Sequence, residues 1–385
     1  MNCDSMSGLL KYKIKDSVDV YIINNNNSCR FQFYKINTRE KITIEADEKV
    51  SDILSLLDGL HTNNDILERL DFNFERSEFF SFMEFLVNNG IIYDVFSRIS
   101  LKGVEHLNRY SRQINYFDDL LKTTPGITSQ NTLSNSHVAI FGVGSIGGAI
   151  AIELVRSGVG EVTLYDYKVI DSSHKQRHFY FKNKYIDQFK THALKDYLLE
   201  INSNCKVNAV VERLSPQTNL ASLLHKSINL VINTADEPYI GHTTVKLGRE
   251  LWRQGIALYA AGGFDAHLMS TGEFIIPGKT PCVDCYSQHF KMALADWRPQ
   301  YAPLETFDSN KEAGEGYNPL GGAGGISAQA LFSASYGCIN IVNFLLGNET
   351  GLLNKSNRGE YIANKAIMTW FNLQGAVDCN VCGKK

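Results

Sequence analysis

No apolar run in these 385 residues reaches the roughly 18–20 needed to cross a bilayer, so no membrane partner is expected. Positive charge is not in excess. The 38 Lys and Arg stand against 41 Asp and Glu, which removes the basic signature of a nucleic-acid partner. The opening Met1-Asn2-Cys3-Asp4-Ser5 lacks the basic and apolar stretches of a secretory leader, and a cytoplasmic location is expected. No internal repeat is visible, and low complexity is confined to asparagines 24–27. Cysteine is missing from 286 to 337, a gap that matters below.

What is present suits two globular domains, since 385 residues with 44% hydrophobic content can bury at least one large core. Of eight cysteines, four form two Cys-x-x-Cys pairs. In a reducing compartment such pairs are more often metal or redox sites than disulfides.

Residues 1–100 read as a small α+β module. Strand character runs over 18–23 and 31–36, with the asparagines as the turn between them, and returns at 41–44 and 91–93. Val50, Ile53, Leu54 and Leu57 mark one helix face. Thr62 can cap a second helix, and Ser77 a third that ends at Asn89-Gly90. This order predicts a winged-helix-like fold. It suits either a dimerisation and packing domain or a peptide-docking domain whose open sheet edge accepts an added strand. The pattern resembles the leader-peptide recognition domains found beside peptide-tailoring enzymes.

Residues 101–136 form a polar connector, and 137–385 alternate strands with helices, which predicts a doubly wound parallel α/β sheet of Rossmann type. Its expected strands are 138–141, 161–166, 207–212, 229–233 and 257–261. Residues 298–325, rich in Gly, Pro, Asn and charge, read as a crossover loop or lid. A buried helix is expected over 326–346, with Ala328, Leu331, Ala334, Ile339, Val342 and Leu345 inward.

The strand 137–141 runs directly into Gly142-Val143-Gly144-Ser145-Ile146-Gly147 ahead of a helix. Glycines there let backbone approach a phosphate, and the helix end supplies N–H donors. Asp166 ends the next strand, where a carboxylate can hold ribose hydroxyls. Arg177 follows, Lys190 opens a helix, and Asp236 ends a later strand. Two cations and a second carboxylate around a phosphate loop suit ATP with Mg²⁺ better than a dinucleotide. Cys282, Cys285, Cys379 and Cys382 supply a tetrahedral thiolate set that suits a structural Zn²⁺ pinning the C-terminal tail.

Tyr110-Ser111-Arg112-Gln113-Ile114, the glycine loop, Leu164-Tyr165-Asp166, Arg177, Lys190 and Asp236 occur in an order that resembles the ThiF/MoeB/ubiquitin-activating superfamily of adenylating enzymes. The resemblance implies that Asp166 binds ribose, that Arg177 and Lys190 bind phosphates, and that Asp236 binds Mg²⁺ or phosphate. It also implies a homodimer in which Arg112 reaches the partner's ATP site. Family members usually carry Asn-x-x-Arg-Gln where this chain has His174-Lys-Gln-Arg177-His178, so the role of both histidines stays open. Members that form thioesters use a cysteine in or near the crossover loop, which this chain lacks. Its other cysteines are Cys3, Cys29, Cys205 and Cys338, the last reading as an inert thiol in an apolar helix.

The missing cysteine and the N-terminal module point within the superfamily, and with Asn108-Arg109-Tyr110-Ser111-Arg112, Pro277-Gly278-Lys279-Thr280 and Cys379-Asn-Val-Cys382-Gly383 the chain resembles the peptide-tailoring members of MccB and PaaA type. The expected function is adenylation of a carboxyl or amide on a ribosomally made precursor peptide. The product is either a nucleotidylated C-terminus or a dehydrated, cyclised peptide. A Gly-Gly carrier protein as the acceptor, or a non-catalytic docking role, are the alternatives.

Overall fold

The computed structural model describes residues 8–25, 28–70, 75–96, 108–121, 124–237, 239–261, 269–293, 325–348 and 357–383. The expected lid lies outside them except for Gly325. The chain divides into two compact units, 1–131 and 132–385.

The first unit holds six strands: β1 (Lys11–Ile14), β2 (Val18–Asn25), β3 (Ser28–Lys35), β4 (Lys41–Ala46), β5 (Asp58–Thr62) and β6 (Ile92–Asp94). They form two antiparallel three-stranded sheets, ordered β5-β1-β6 and β2-β3-β4. Helices α1 (Val50–Leu56), α2 (Asn63–Arg69) and α3 (Arg76–Asn88) complete the core. Phe31, Phe33, Ile53, Ile66, Phe79 and Leu86 bury together there. Thr62 caps α2 through a reciprocal box with Asp65, as its sequence position suggests. The cap expected at Ser77 is corrected: the N-cap of α3 is Glu75, two residues earlier, and its side chain makes no capping bond. Asn89 and a left-handed Gly90 end that helix. The segment read as a polar connector contains helix α4 (Ser111–Leu120). Its buried Asp119 accepts from Lys15 Nζ at 3.2 Å and from Asn37 Nδ2 at 2.7 Å.

The second unit is built on a six-stranded sheet ordered β12-β11-β10-β7-β8-β9. Its strands are β7 (His137–Phe141), β8 (Glu161–Tyr165), β9 (Lys206–Val210), β10 (Leu230–Asn233), β11 (Ala257–Ala260) and β12 (Glu273–Ile275). All pair in parallel except β12, which runs antiparallel at the edge. The crossover helices are α5 (Ser145–Arg156), α6 (Lys190–Ile201) and α7 (Ile240–Gln254). Strand order reverses between β7 and β10, the point where a crevice opens at the carboxyl ends of a doubly wound sheet. The strands read as continuous apolar runs because both faces are covered; every residue of β7, β10 and β11 is buried.

Further along lie α8 (Val283–Ala293), α9 (Ser327–Leu345) and the hairpin β13 (Asn357–Ile362) with β14 (Ile367–Asn372). The inward face expected for α9 is corrected. Ala330, Ser333, Ala334, Gly337, Cys338 and Ile341 are buried, whereas Ala328 and Ile339 are exposed. Small residues line the packed side because α9 lies close to its neighbours. A Cβ on Gly337 would come within 2.5 Å of the Tyr259 hydroxyl, and Cys338 Sγ lies 3.6 Å from the carbonyl of Ile150 on α5.

Candidate active site

At the switch point, a cavity of about 220 Å³ is lined by Gly142, Gly144, Ser145, Asp166, Arg177, Lys190 and Asp236. These seven residues singled out in the sequence therefore meet in one place. Gly147 does not line it and serves packing instead, since a Cβ there would stand 2.1 Å from the Gly142 carbonyl oxygen. Gly142 has φ +83°, and its turn is fixed by donation from its N–H to Tyr165 O at 2.8 Å. Gly144 is the N-cap of α5 and has no side chain with which to cap that end of the helix. The first-turn N–H groups of α5 thus face the cavity as an anion cradle.

Asp166 holds this loop in shape. One carboxylate oxygen accepts from Val143 N–H and the other from Lys168 N–H, both at 2.9 Å. The Tyr180 hydroxyl donates to Val143 O from a fully buried position, and Thr234 Oγ1 donates to Gly142 O at 2.6 Å. Strand β10 stops at Asn233, so Asp236 sits in the loop beyond it and not at the strand end as expected. Asn233 is buried, donates to Thr243 and Thr244 on α7, and accepts from Ala235 N–H, which braces that loop.

Lys190 is the first residue of α6, is buried, and forms no ion pair among the described residues. Burial pulls its ammonium below the ordinary lysine value, with Lys168 and Arg177 adding to the effect and Asp166 opposing it. Arg177 likewise has no ion-pair partner among them. Uncompensated cations next to a helix N-terminus favour a polyanion.

Three residues at this cavity were not foreseen from sequence. Glu237 accepts from both Lys168 Nζ and Tyr167 Oη, joining the loop after β8 to the loop after β10. Burial opposes ionisation of Glu237, but these two bonds hold its carboxyl below the usual range. The signal was present in part: Glu237 directly follows Asp236, and Lys168 lies two residues past Asp166.

His174 and His178 are both buried, with His178 lining the cavity. Arg112, by contrast, belongs to the first unit, where it is an exposed residue of α4.

The four paired cysteines converge elsewhere. Their sulfurs all lie within 4.8 Å of one another, with Cys282–Cys379 at 3.6 Å and Cys285–Cys382 at 3.4 Å. A zinc tetrahedron with Zn–S of about 2.3 Å has edges near 3.8 Å, so the set fits that ion. Ala376 N–H points at Cys285 Sγ and Val381 N–H at Cys379 Sγ, donors that favour thiolates. No other group of three or more potential ligands is found among the described residues. Of the remaining cysteines, Cys29, Cys205 and Cys338 are buried. Burial pushes the Cys205 thiol up to about 12 and the Cys338 thiol far above the ordinary value, which leaves neither reactive.

Known proteins share this architecture. The crystal structure of E. coli MccB with ATP superimposes with a TM-score of 0.68 at 19% identity, over 97% of this chain and 99% of that one. PaaA gives 0.68 at 19% identity, over 93% of this chain and 99% of that one. Among curated sequences, the adenylyltransferase and sulfurtransferase MOCS3 of Dictyostelium discoideum is 25% identical over 284 residues, 72% of this chain and 58% of that protein. HesA of Trichormus variabilis is 27% identical over 192 residues, 49% of this chain and 65% of that protein. The chain thus spans less than two thirds of the length of these curated relatives. Residues 110–354 match the ThiF family over more than half the chain, including the glycine loop, Asp166, Arg177, Lys190 and Asp236, and the chain belongs to that family.

Proposed function

We propose that this chain is an ATP-dependent adenylating enzyme acting on a carboxyl or amide group of a ribosomally made peptide. The observation that carries the reading is the pair of cations without ion-pair partners among the described residues, Arg177 and Lys190, set against the glycine loop in one cavity with Asp166 and Asp236. In this reading the triphosphate lies on the N-terminus of α5 and the two cations. The free lone pairs of Asp166 accept from ribose hydroxyls. Asp236, exposed at the cavity, holds Mg²⁺, which offsets phosphate charge when bound. A peptide oxygen attacks the α-phosphorus, the bond from that phosphorus to the bridging oxygen breaks, and pyrophosphate leaves. Arg177 and Lys190 stabilise the charge that builds on those oxygens. Arg112 of a second copy completes the site in a homodimer. The zinc pins the tail and takes no part in the chemistry.

Peptide as the acceptor is supported by two things. The solved relatives include MccB, a microcin C7 biosynthetic enzyme, in complex with N-formylated MccA. The chain also carries a separate α+β unit ahead of the nucleotide-binding one. A second reading, adenylation of a carrier protein for sulfur transfer, is favoured by the likeness to the adenylyltransferase and sulfurtransferase MOCS3. It is weakened because none of the singly placed cysteines among the described residues is exposed.

The test is the mass of the short peptide encoded beside this gene, before and after incubation with the protein, ATP and Mg²⁺. A gained nucleotidyl group means that the adenylate is the product. A lost water means that it is a leaving group for cyclisation. An unchanged peptide, together with adenylation of a Gly-Gly-ended carrier, overturns the peptide reading.

A further inference from the structure

The stacked histidines at the cavity are assigned no role by the mechanism above. His174 and His178 lie ring over ring, and His178 lies in turn against Tyr180, with ring centroids 5.5 Å apart. The two are not equivalent. Asp171 N–H donates to His174 Nδ1 at 3.0 Å, so that nitrogen must keep its lone pair. The Nε2 of the same ring lies 3.5 Å from the Asp171 carboxylate. His174 is therefore locked as a neutral ring by its own backbone turn. His178 has no such lock. Its Nδ1 is buried and finds no hydrogen-bond partner among the described residues, a condition that costs about 1–3 kcal/mol where nothing compensates it. The same ring lines the cavity beside Arg177 and Lys190.

We propose that His178 is a phosphate-responsive side chain of this site, neutral while the cavity is empty and protonated once a nucleoside triphosphate occupies it. The inference rests on the ATP-binding reading above. The charged and titratable groups that act on His178 are Lys190 at the start of α6, and His174, Arg177 and Asp171 on its own segment. Three of these four are basic, and His174 is held neutral. With the cavity empty, burial and the two fixed cations push the imidazole down to about 3. A triphosphate, even with Mg²⁺ bound, brings net negative charge against the same cations and offsets their effect on the imidazole. The proton comes from solvent onto an imidazole nitrogen, with no bond broken and nothing oxidised. The product is a third cation beside the phosphates, present only when they are. A glutamine at this position can hydrogen-bond there but cannot gain charge.

Linkage fixes the sign of the effect. Between the empty and occupied titration points, affinity for nucleotide falls as pH rises, by up to about tenfold per pH unit for one coupled proton. The experiment is isothermal titration of the full-length protein with α,β-methylene ATP and Mg²⁺, in two buffers of different ionisation enthalpy, between pH 6 and pH 8, ranges of order set by ordinary imidazole titration at ~6.5. Wild type should take up more protons per site than His178→Gln, which should bind nucleotide with a flatter pH dependence. Proton changes on the nucleotide itself are common to both proteins and cancel in the difference. His174→Asn should keep the wild-type uptake. A second readout needs no variant: in wild type labelled with ¹³C-histidine, one ring resonance should start to titrate in this range only after nucleotide is added. Equal proton uptake by wild type and His178→Gln, or no histidine resonance that responds to nucleotide, overturns the proposal and leaves the ATP reading intact. Failure of wild type to bind the nucleotide at all overturns both.

Discussion

The imidazole rings of His174 and His178 lie parallel, 7° between planes and 4.3 Å between centroids. Burial holds both below the ordinary imidazole range, His178 down to about 3. The sign of the consequence follows from linkage. Between ~6.5 and about 3 the unfolded chain binds a proton at this position that the empty folded protein does not. That contribution to stability is full above the unfolded value and is lost as pH falls toward the folded one. Denaturant titrations on acidification should show His178→Gln losing stability less steeply than wild type, by about 1.4 kcal/mol per pH unit at most. Parallel slopes would mean that His178 is already protonated in the empty fold.

Two glycines three residues apart should behave in opposite ways. A methyl on Gly147 would collide with Gly142 O at 2.1 Å and Thr234 Oγ1 at 2.5 Å. Gly147→Ala should therefore destabilise by about 1–3 kcal/mol or fail to fold. Gly144 has φ −70° and nothing within 4 Å of an added Cβ. Gly144→Ala should melt like wild type yet bind nucleotide about tenfold more weakly, because the methyl stands where a phosphate meets the backbone. Undiminished nucleotide affinity in Gly144→Ala would move the phosphates away from this loop.

That contrast shows what was legible in the sequence. The glycine loop between an apolar strand and a helix announces both the switch point and the anion cradle, and strands β7, β10 and β11 read clearly because their burial on both faces leaves apolar runs. The edge strands did not. Asp58-Gly59-Leu60-His61-Thr62 carries no strand pattern and becomes β5 only because β1 lies beside it. Strand β12 is three residues long and is a strand only through its pairing with β11; the local hairpin β13–β14 was missed as well. At the site, Arg177, Lys190 and Asp236 were readable from position, whereas the Glu237–Lys168–Tyr167 contact is made by two loops that only the fold brings together.

Lys190 and Asp236 should be separable from the fold. Burial works against the Lys190 ammonium and no carboxylate pairs with it, so its charge does not stabilise the empty protein. Lys190→Ala should keep or raise the melting temperature while reducing turnover by about a hundredfold or more. Asp236 is exposed, and its replacement by alanine should change stability by less than about 0.5 kcal/mol while abolishing turnover. Both follow from differential scanning fluorimetry set beside a pyrophosphate-release assay. Wild-type rates in either variant would sink the adenylation reading.

If the first unit docks the peptide, a free strand edge on it is the place to test, apart from ATP. Among the described strands β2 pairs only with β3, and Tyr21, Ile22 and Ile23 on it are exposed. An exposed apolar edge is suited to strand addition. Ile22→Lys should raise KM for the peptide about tenfold, on the order of one lost apolar side-chain contact, and leave the KM for ATP unchanged. A variant that processes the peptide normally would remove β2 from the docking surface.

The cysteine tetrad ties α8 to the C-terminal tail, and α8 in turn packs on α7, where Val283 presses against Gly248 so closely that a Cβ there would lie 2.0 Å from it. Helix α7 begins just beyond the loop that carries Asp236. Loss of the metal should loosen this end of the sheet before it touches the nucleotide cradle, whose shape is set by Asp166, Tyr180 and Thr234. Inductively coupled plasma mass spectrometry should find one zinc per chain. Chelation, or Cys379→Ser, should lower the melting temperature by several degrees, a few kcal/mol in a domain of this size, and change nucleotide affinity only a few-fold. A rate that collapses on chelation while the melting temperature holds would give the metal a catalytic role and overturn the structural one, for which a shell closed by four sulfurs is expected.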